Sequence, residues 1–213
     1  MNGVDALVLA AYASLLVELT VFPIPSEAST WQITTARPAA RGTDELELAR
    51  GRSFAQKLLR YFVPTATCVL LWLVPLAVIC VPSLADPLWC TRVEGLVVPG
   101  VLLVVVGRTI TFLSVLQLRA QRRTGGGPRW LFRRSRNPGL VGMFTCYAGL
   151  CCLFGSPLLW LGLPIYVVNM HGRVRMEEAH LAARLGAAWR DYAARVPRYV
   201  GSSSPTRIRA PHE

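Results

Sequence analysis

Nineteen consecutive residues, VPTATCVLLWLVPLAVICV from Val63 to Val81, carry no charged side chain. A helix crossing the ~30 Å hydrocarbon core of a bilayer needs about 20 apolar residues. Backbone at that depth is satisfied only inside a helix or a closed barrel. Three further segments have the same character. Gly3–Phe22 is apolar apart from Asp5 near one end and Glu18 near the other. Gly95–Leu118 holds one charge, Arg108, and Leu140–Met170 is a 31-residue apolar run. That run is too long for one simple span. Gly155-Ser156-Pro157 punctuates it, because proline lacks a helical N–H and glycine ends helices readily. The expectation is therefore an all-α integral membrane protein with five transmembrane helices. The last two, about Leu140–Phe154 and Leu158–Met170, form a short hairpin, and a helical cap follows at the C-terminus.

The basic residues orient such a chain. Arginine supplies 22 of the 23 basic side chains and Lys57 is the only lysine. The segment between the first two spans contributes Arg37, Arg41, Arg50, Arg52, Lys57 and Arg60. The segment after the third span holds seven arginines from Arg119 to Arg136, and eight more run from Arg173 to Arg209. The opposite side has only Arg92. By the positive-inside rule the N-terminus lies outside and the C-terminus is cytoplasmic, as an odd number of spans requires. The net charge of +11 is thus a membrane signature. No nucleic-acid-binding pattern accompanies it, so no nucleic acid partner is expected. Only 16% of residues are charged, against about 25% in soluble domains. The Arg, Ala, Leu, Gly and Val richness hints at a GC-rich bacterial genome and hence at the bacterial inner membrane. The six cysteines form no C-x2-C pair and read as small apolar residues in membrane helices, with Cys80 and Cys90 flanking one short loop. The first apolar stretch lacks a basic n-region and reads as a membrane helix rather than a signal peptide. Thr43 or Asp44 is expected to cap a helix running through Glu45 and Glu47 to Phe62, and residues 202–213 read as disordered.

Chemistry concentrates between Gly127 and Val200. On a helical wheel Val174, Glu178, Leu181 and Leu185 share one face, while Arg173, Glu177, His180 and Arg184 share another. Glu177 has arginines within a turn or two and reads first as part of a solvated charged face. Glu178 interrupts an apolar stripe, where an unpaired carboxylate costs several kcal/mol. Two readings stay open for it: an internal ion pair with a basic residue such as Arg136 or Arg195, or a role facing a ligand. Upstream, Arg136-Asn137-Pro138 bars Asn137 from a helix and starts a new one at Pro138 or Gly139, whose free N–H groups attract anions. Arg108, about 15 Å deep in its span, either pairs with Glu18 or Asp5 or meets an acidic substrate group. His171 either contacts a cofactor or ends a helix. With three histidines and no clustered ligands, no metal site is expected.

Together these segments form a longer pattern. Arg136, Asn137 and Pro138 are followed by Gly142, an apolar hairpin, and then Arg173, Glu177, Glu178, Leu181, Gly186, Trp189, Tyr192, Val196, Pro197 and Arg198 in fixed register. This resembles the isoprenylcysteine carboxyl methyltransferase and phospholipid methyltransferase superfamily of integral membrane enzymes, over roughly residues 95–200. Asn137 stands where many members have histidine, and Leu140 where many have tyrosine. The resemblance implies an S-adenosylmethionine-dependent methyltransferase core over 95–201, preceded by membrane helices and a loop over 1–94. It implies that Arg136, Asn137, Pro138, Gly142, Glu177, Glu178, Tyr192 and Arg198 bind the cofactor, with His171 a further candidate contact, and that Arg173 and Glu178 serve methyl transfer. The acceptor would be lipophilic, with an isoprenoid or prenyl-cysteine-like carboxylate favoured over a lipid amine or a thiol. Arg108 is the candidate substrate contact. The competing readings are an NADPH-dependent sterol-type reductase and a non-enzymatic membrane scaffold or transporter.

Overall fold

The computed structural model describes residues 3–21, 49–81, 93–124 and 129–201, and these residues contain helices but no strand. In chain order the elements are α1 (Gly3–Val21), α2 (Phe54–Cys80), α3 (Glu94–Thr124), α4 (Trp130–Arg134), α5 (Pro138–Phe154), α6 (Pro157–Leu185) and α7 (Ala187–Arg195).

Two helices are long and apolar enough to cross a membrane: α2, 27 residues, and the Glu94–Gln121 portion of α3, 28 residues, each containing an 18-residue stretch of mean hydropathy 2.2. The five expected spans are not all supported on that basis. Helix α5 is apolar but only 17 residues long. Helix α6 turns charged after Met170, and α1 is a 19-residue helix carrying Asp5 and Glu18.

The helix expected to run unbroken from residue 45 to Phe62 is also corrected. Ala49 and Arg50 are helical, but the chain turns at Gly51 and Arg52. Ser53 then caps a new helix, its hydroxyl accepting from Gln56 N while the Gln56 side chain accepts from Ser53 N. This helix passes through a π-helical turn, Leu58–Phe62, straight into the apolar segment. Thr43, Asp44, Glu45 and Glu47 lie outside the described residues, as do Cys90 and 202–213.

Helices α3 and α5 form the tightest pair, packed antiparallel through glycines. A Cβ added at Gly107 would sit 2.4 Å from Cys146 N, and one at Gly149 would sit 2.7 Å from Val104 N. Thr111 reinforces the seam, donating to Gly107 O at 2.9 Å and to Gly139 O at 3.3 Å. Lipid tails are as apolar as leucine, so close approach of backbones, rather than water exclusion, drives such pairing in a bilayer. Against this pair lie α2 and α6, sealed by an aromatic cluster in which the Trp72 ring meets Tyr147 at 5.2 Å and Tyr166 at 6.0 Å. Tyr147, Leu150, Leu153, Phe154 and Leu159 are fully buried there.

The hairpin forms where expected. Gly155, at φ 58°, ends α5, and Pro157 opens α6. Its second arm differs from expectation: α6 does not stop near Met170 but runs unbroken to Leu185, 29 residues or ~44 Å. Nothing in 171–185 breaks a helix, Gly172 having no positive φ. The separate cap is thus only α7 and the strand-like return through Val196–Arg198. Gly186, also at positive φ, makes the corner into α7.

Candidate functional site

The return of the chain after α7 builds the site. The carbonyl of Pro197 accepts from Arg136 N at 2.9 Å. That of Arg198 accepts from Asn137 Nδ2 at 3.1 Å and from Ser135 Oγ at 3.4 Å. The C-terminal segment is thereby tied to the turn that precedes α5. Pro138 opens that helix, as the Asn-Pro pair requires, and Asn137 spends its amide on the tail rather than on its own helix. On the other side, Gln117 of α3 accepts from Leu131 N at 3.3 Å and Tyr192 donates to Phe132 O at 2.7 Å, fixing α4 between α3 and α7.

Between these elements lies a cavity of about 400 Å³. Helix α6 contributes Glu177, Glu178, Leu181 and Leu185; α7 contributes Trp189, Tyr192 and Arg195. Arg136, Asn137, Phe132, Leu118, Gln121 and Ala188 complete the lining. Glu178 is 8% exposed, as its place in an apolar stripe predicts. One carboxylate oxygen lies 3.0 Å from Arg136 Nη1, a contact of charge without hydrogen-bond alignment. The other accepts from Arg198 Nη2 at 2.6 Å and Nε at 2.9 Å. Of the two arginines weighed as partners, Arg136 is one; the second partner is Arg198, and Arg195 instead bonds the carbonyl of Asp191. Two guanidiniums on one carboxylate leave one net positive charge at the cavity wall. Burial pushes the Tyr192 phenol up to about 12; Glu178 adds to the rise and Arg136 opposes it.

The remaining expected site residues divide. Glu177, Asn137 and Tyr192 reach the cavity, and Arg198 reaches it through Glu178. Gly142 does not: a Cβ there would lie 2.5 Å from Thr111 Oγ1 and 2.6 Å from Gly107 O, so it is a helix-packing residue. Pro138 is a buried helix start. His171 lies 3.1 Å from Tyr199 Oη, away from the cavity lining. Burial likewise raises the Tyr199 phenol. Arg173 is separated from Glu178. Five residues along a helix turn it by about 140°, so Arg173 lines a different cavity, between α2 and α6. Burial pulls its guanidinium down, and the charge of Glu177 opposes that. Arg108 forms an ion pair with Glu18 at 2.8 Å and donates to Ser14 Oγ at 3.0 Å, the structural alternative, and lines neither large cavity. No group of three or more metal-ligating side chains occurs among the described residues.

Sequence reasoning missed Trp189, Phe132 and Gln121 as parts of one enclosure. Trp189 and Tyr192, with ring centroids 5.5 Å apart, stand on one side of α7, and their spacing of three was the available signal. Compared with protein-family models, curated proteins and solved structures, the chain matches none.

Proposed function

We propose that the chain is an S-adenosylmethionine-dependent methyltransferase of the membrane whose cofactor occupies the cavity under the C-terminal segment. The observation that carries this reading is that cavity: about 400 Å³, walled by acidic, basic and aromatic side chains together. Its size lies within the range of small-molecule sites. The donor set fits the cofactor. Glu177 suits the amine and the sulfonium charge, while Arg136 and Arg195 suit the carboxylate. Trp189 and Phe132 offer ring faces for the adenine. When bound, the group would supply an electrophilic methyl. The chain's part is then to orient and to exclude water. Glu178, with both oxygens held by arginines, acts by positioning Arg136 and Arg198 and by keeping the tail closed.

The acceptor class follows from the setting. Apolar helices beside the site favour a lipophilic acceptor, with an isoprenoid or prenyl-cysteine-like carboxylate ahead of an amine or thiol. We extend the membrane reading to five spans in a bacterial inner membrane, with the N-terminus outside and the C-terminus cytoplasmic, on the 21-to-one division of basic residues about Arg92.

Calorimetry on the detergent-solubilised protein is the test. Saturable binding of S-adenosylmethionine and S-adenosylhomocysteine, with none of NADPH, is the expected result. Absence of binding to both sulfur compounds refutes the reading, and binding of NADPH alone replaces it with a reductase. One observation favours a second reading, binding without catalysis: Arg173 and Glu178, the two residues that the resemblance joins in methyl transfer, line separate cavities. Binding of S-adenosylmethionine with no methyl transferred to any lipophilic carboxylate, amine or thiol would establish it.

A further inference from the structure

A second and larger cavity, about 590 Å³, lies between the start of α2 and the middle of α6. Helices α2 and α6 run antiparallel there. A Cβ at Gly162 would lie 2.7 Å from a Leu71 methyl, and Asn169 Nδ2 lies 3.4 Å from Thr65 Oγ1. Continuing that register brings Arg60 level with Arg173. The lining is graded along its length. Arg60, Tyr61, Asn169 and Arg173 stand at one end, beside Gly172 and Met176, and Pro164, Ile165 and Val168 stand at the other, with Pro64 of α2 between. The separation of Pro164 and Arg173 along the helix is ~14 Å. The lining includes no carboxylate, although the charge of Glu177 acts on Arg173 from nearby. Its apolar end continues onto the molecule's outer surface, where Val168 is 72% exposed and Leu161 and Ile165 of α6 are exposed as well. The wall at the Arg60 end is the π-helical turn Leu58–Phe62, a distortion often found at functional sites.

From this gradient we propose that the cavity holds an anionic phospholipid of the surrounding leaflet. Its phosphate lies between Arg60 and Arg173, and its upper chains lie along Pro164, Ile165 and Val168. Two guanidiniums on adjacent helices at the basic end of an apolar span form the kind of interhelical pocket that takes lipid head groups. A soluble phosphate would leave the apolar end unmatched, and a zwitterionic lipid would bring a cation toward the two arginines. The lipid keeps α2 and α6 apart at this level and neutralises charge where both leave the hydrocarbon. The inference rests on the membrane reading of α2 and is independent of methyl transfer.

The test uses the full chain in neutral detergent. Phosphatidylglycerol and phosphatidylcholine with identical acyl chains are added, and retained lipid is counted by native mass spectrometry. Wild type should retain one phosphatidylglycerol and no phosphatidylcholine. Arg60→Gln should reduce retention about five-fold or more, the factor for one basic residue at a charged bilayer surface. Arg129→Gln, at an exposed arginine outside the cavity, should leave retention unchanged. Equal retention of the two lipids overturns the proposal, as does equal loss in the two variants. Should Arg60→Gln not fold by circular dichroism, the wild-type preference between lipids decides alone. Competition by inorganic phosphate at millimolar concentration would mean that the site reads phosphate only, which also overturns it. Release of the chain from membranes by alkaline carbonate would refute the membrane reading instead.

Discussion

At the scale of single residues, the buried Glu178 carboxylate and its partners Arg136 and Arg198 govern the site. Removing one partner of a buried ion pair typically costs ~3–5 kcal/mol, because the other charge is left uncompensated. Glu178→Gln should therefore loosen the tail and weaken S-adenosylmethionine binding at least ten-fold in calorimetry. Arg173→Ala should leave that affinity unchanged, since Arg173 lines the other cavity. Unchanged affinity in the first variant would dissociate the clamp from the pocket. Tyr192 supplies a pH prediction. Its phenol is raised from about 10 to about 12 by burial, so the folded state holds its proton where the unfolded state releases it. The stability it contributes is complete below pH ~10 and declines as pH rises through ~12. An absorbance titration comparing wild type with Tyr192→Phe should show this phenol still protonated at pH ~11. Titration with the ordinary tyrosines would place it in water. Glu178 was legible from sequence because an acid in an apolar stripe must find a partner. Its second arginine was not, because Arg198 is brought back by Gly186 and the turn at Val196, neither of which a wheel displays.

At the scale of elements, the α3–α5 seam depends on absent side chains. Gly107→Ala should lower the melting temperature in detergent. The added methyl meets backbone atoms that cannot rotate away, and overpacking of this kind costs typically ~1–3 kcal/mol. Gly172→Ala, with nothing within 4 Å of its Cβ, is the matched control and should be neutral or slightly stabilising, as alanine favours helix. Equal effects from the two would remove the seam from the account of stability. The sequence displayed the apolar runs and the Gly155–Pro157 break because both are local. It did not display the uninterrupted course of α6. Loss of hydropathy at Met170 reads as the end of a membrane segment, yet hydropathy and helix continuity are separate properties, and Arg173–Leu185 is made largely of good helix formers. Gly142 packs against α3 instead of lining the cavity, and a glycine near a helix start suits either a ligand or a neighbouring helix. Only the position of Thr111 distinguishes them.

For the whole molecule, the basic residues make a strong expectation about placement. A reporter fused after Val200 should be active only when it is a cytoplasmic type, and one placed between α2 and α3 only when it is an exported type. The reverse pattern would invert the topology proposed here. Deleting residues 196–213 should abolish cofactor binding in calorimetry, because the Pro197 and Arg198 carbonyls tie the tail to the turn before α5 and Arg198 holds Glu178. A final consequence belongs to the unbroken α6. Its C-terminal half is a single rod that lines two hollows in succession, Pro164 to Met176 the one toward α2 and Glu177 to Leu185 the one toward α3 and α7. The continuity of that one helix therefore fixes the distance between the two hollows.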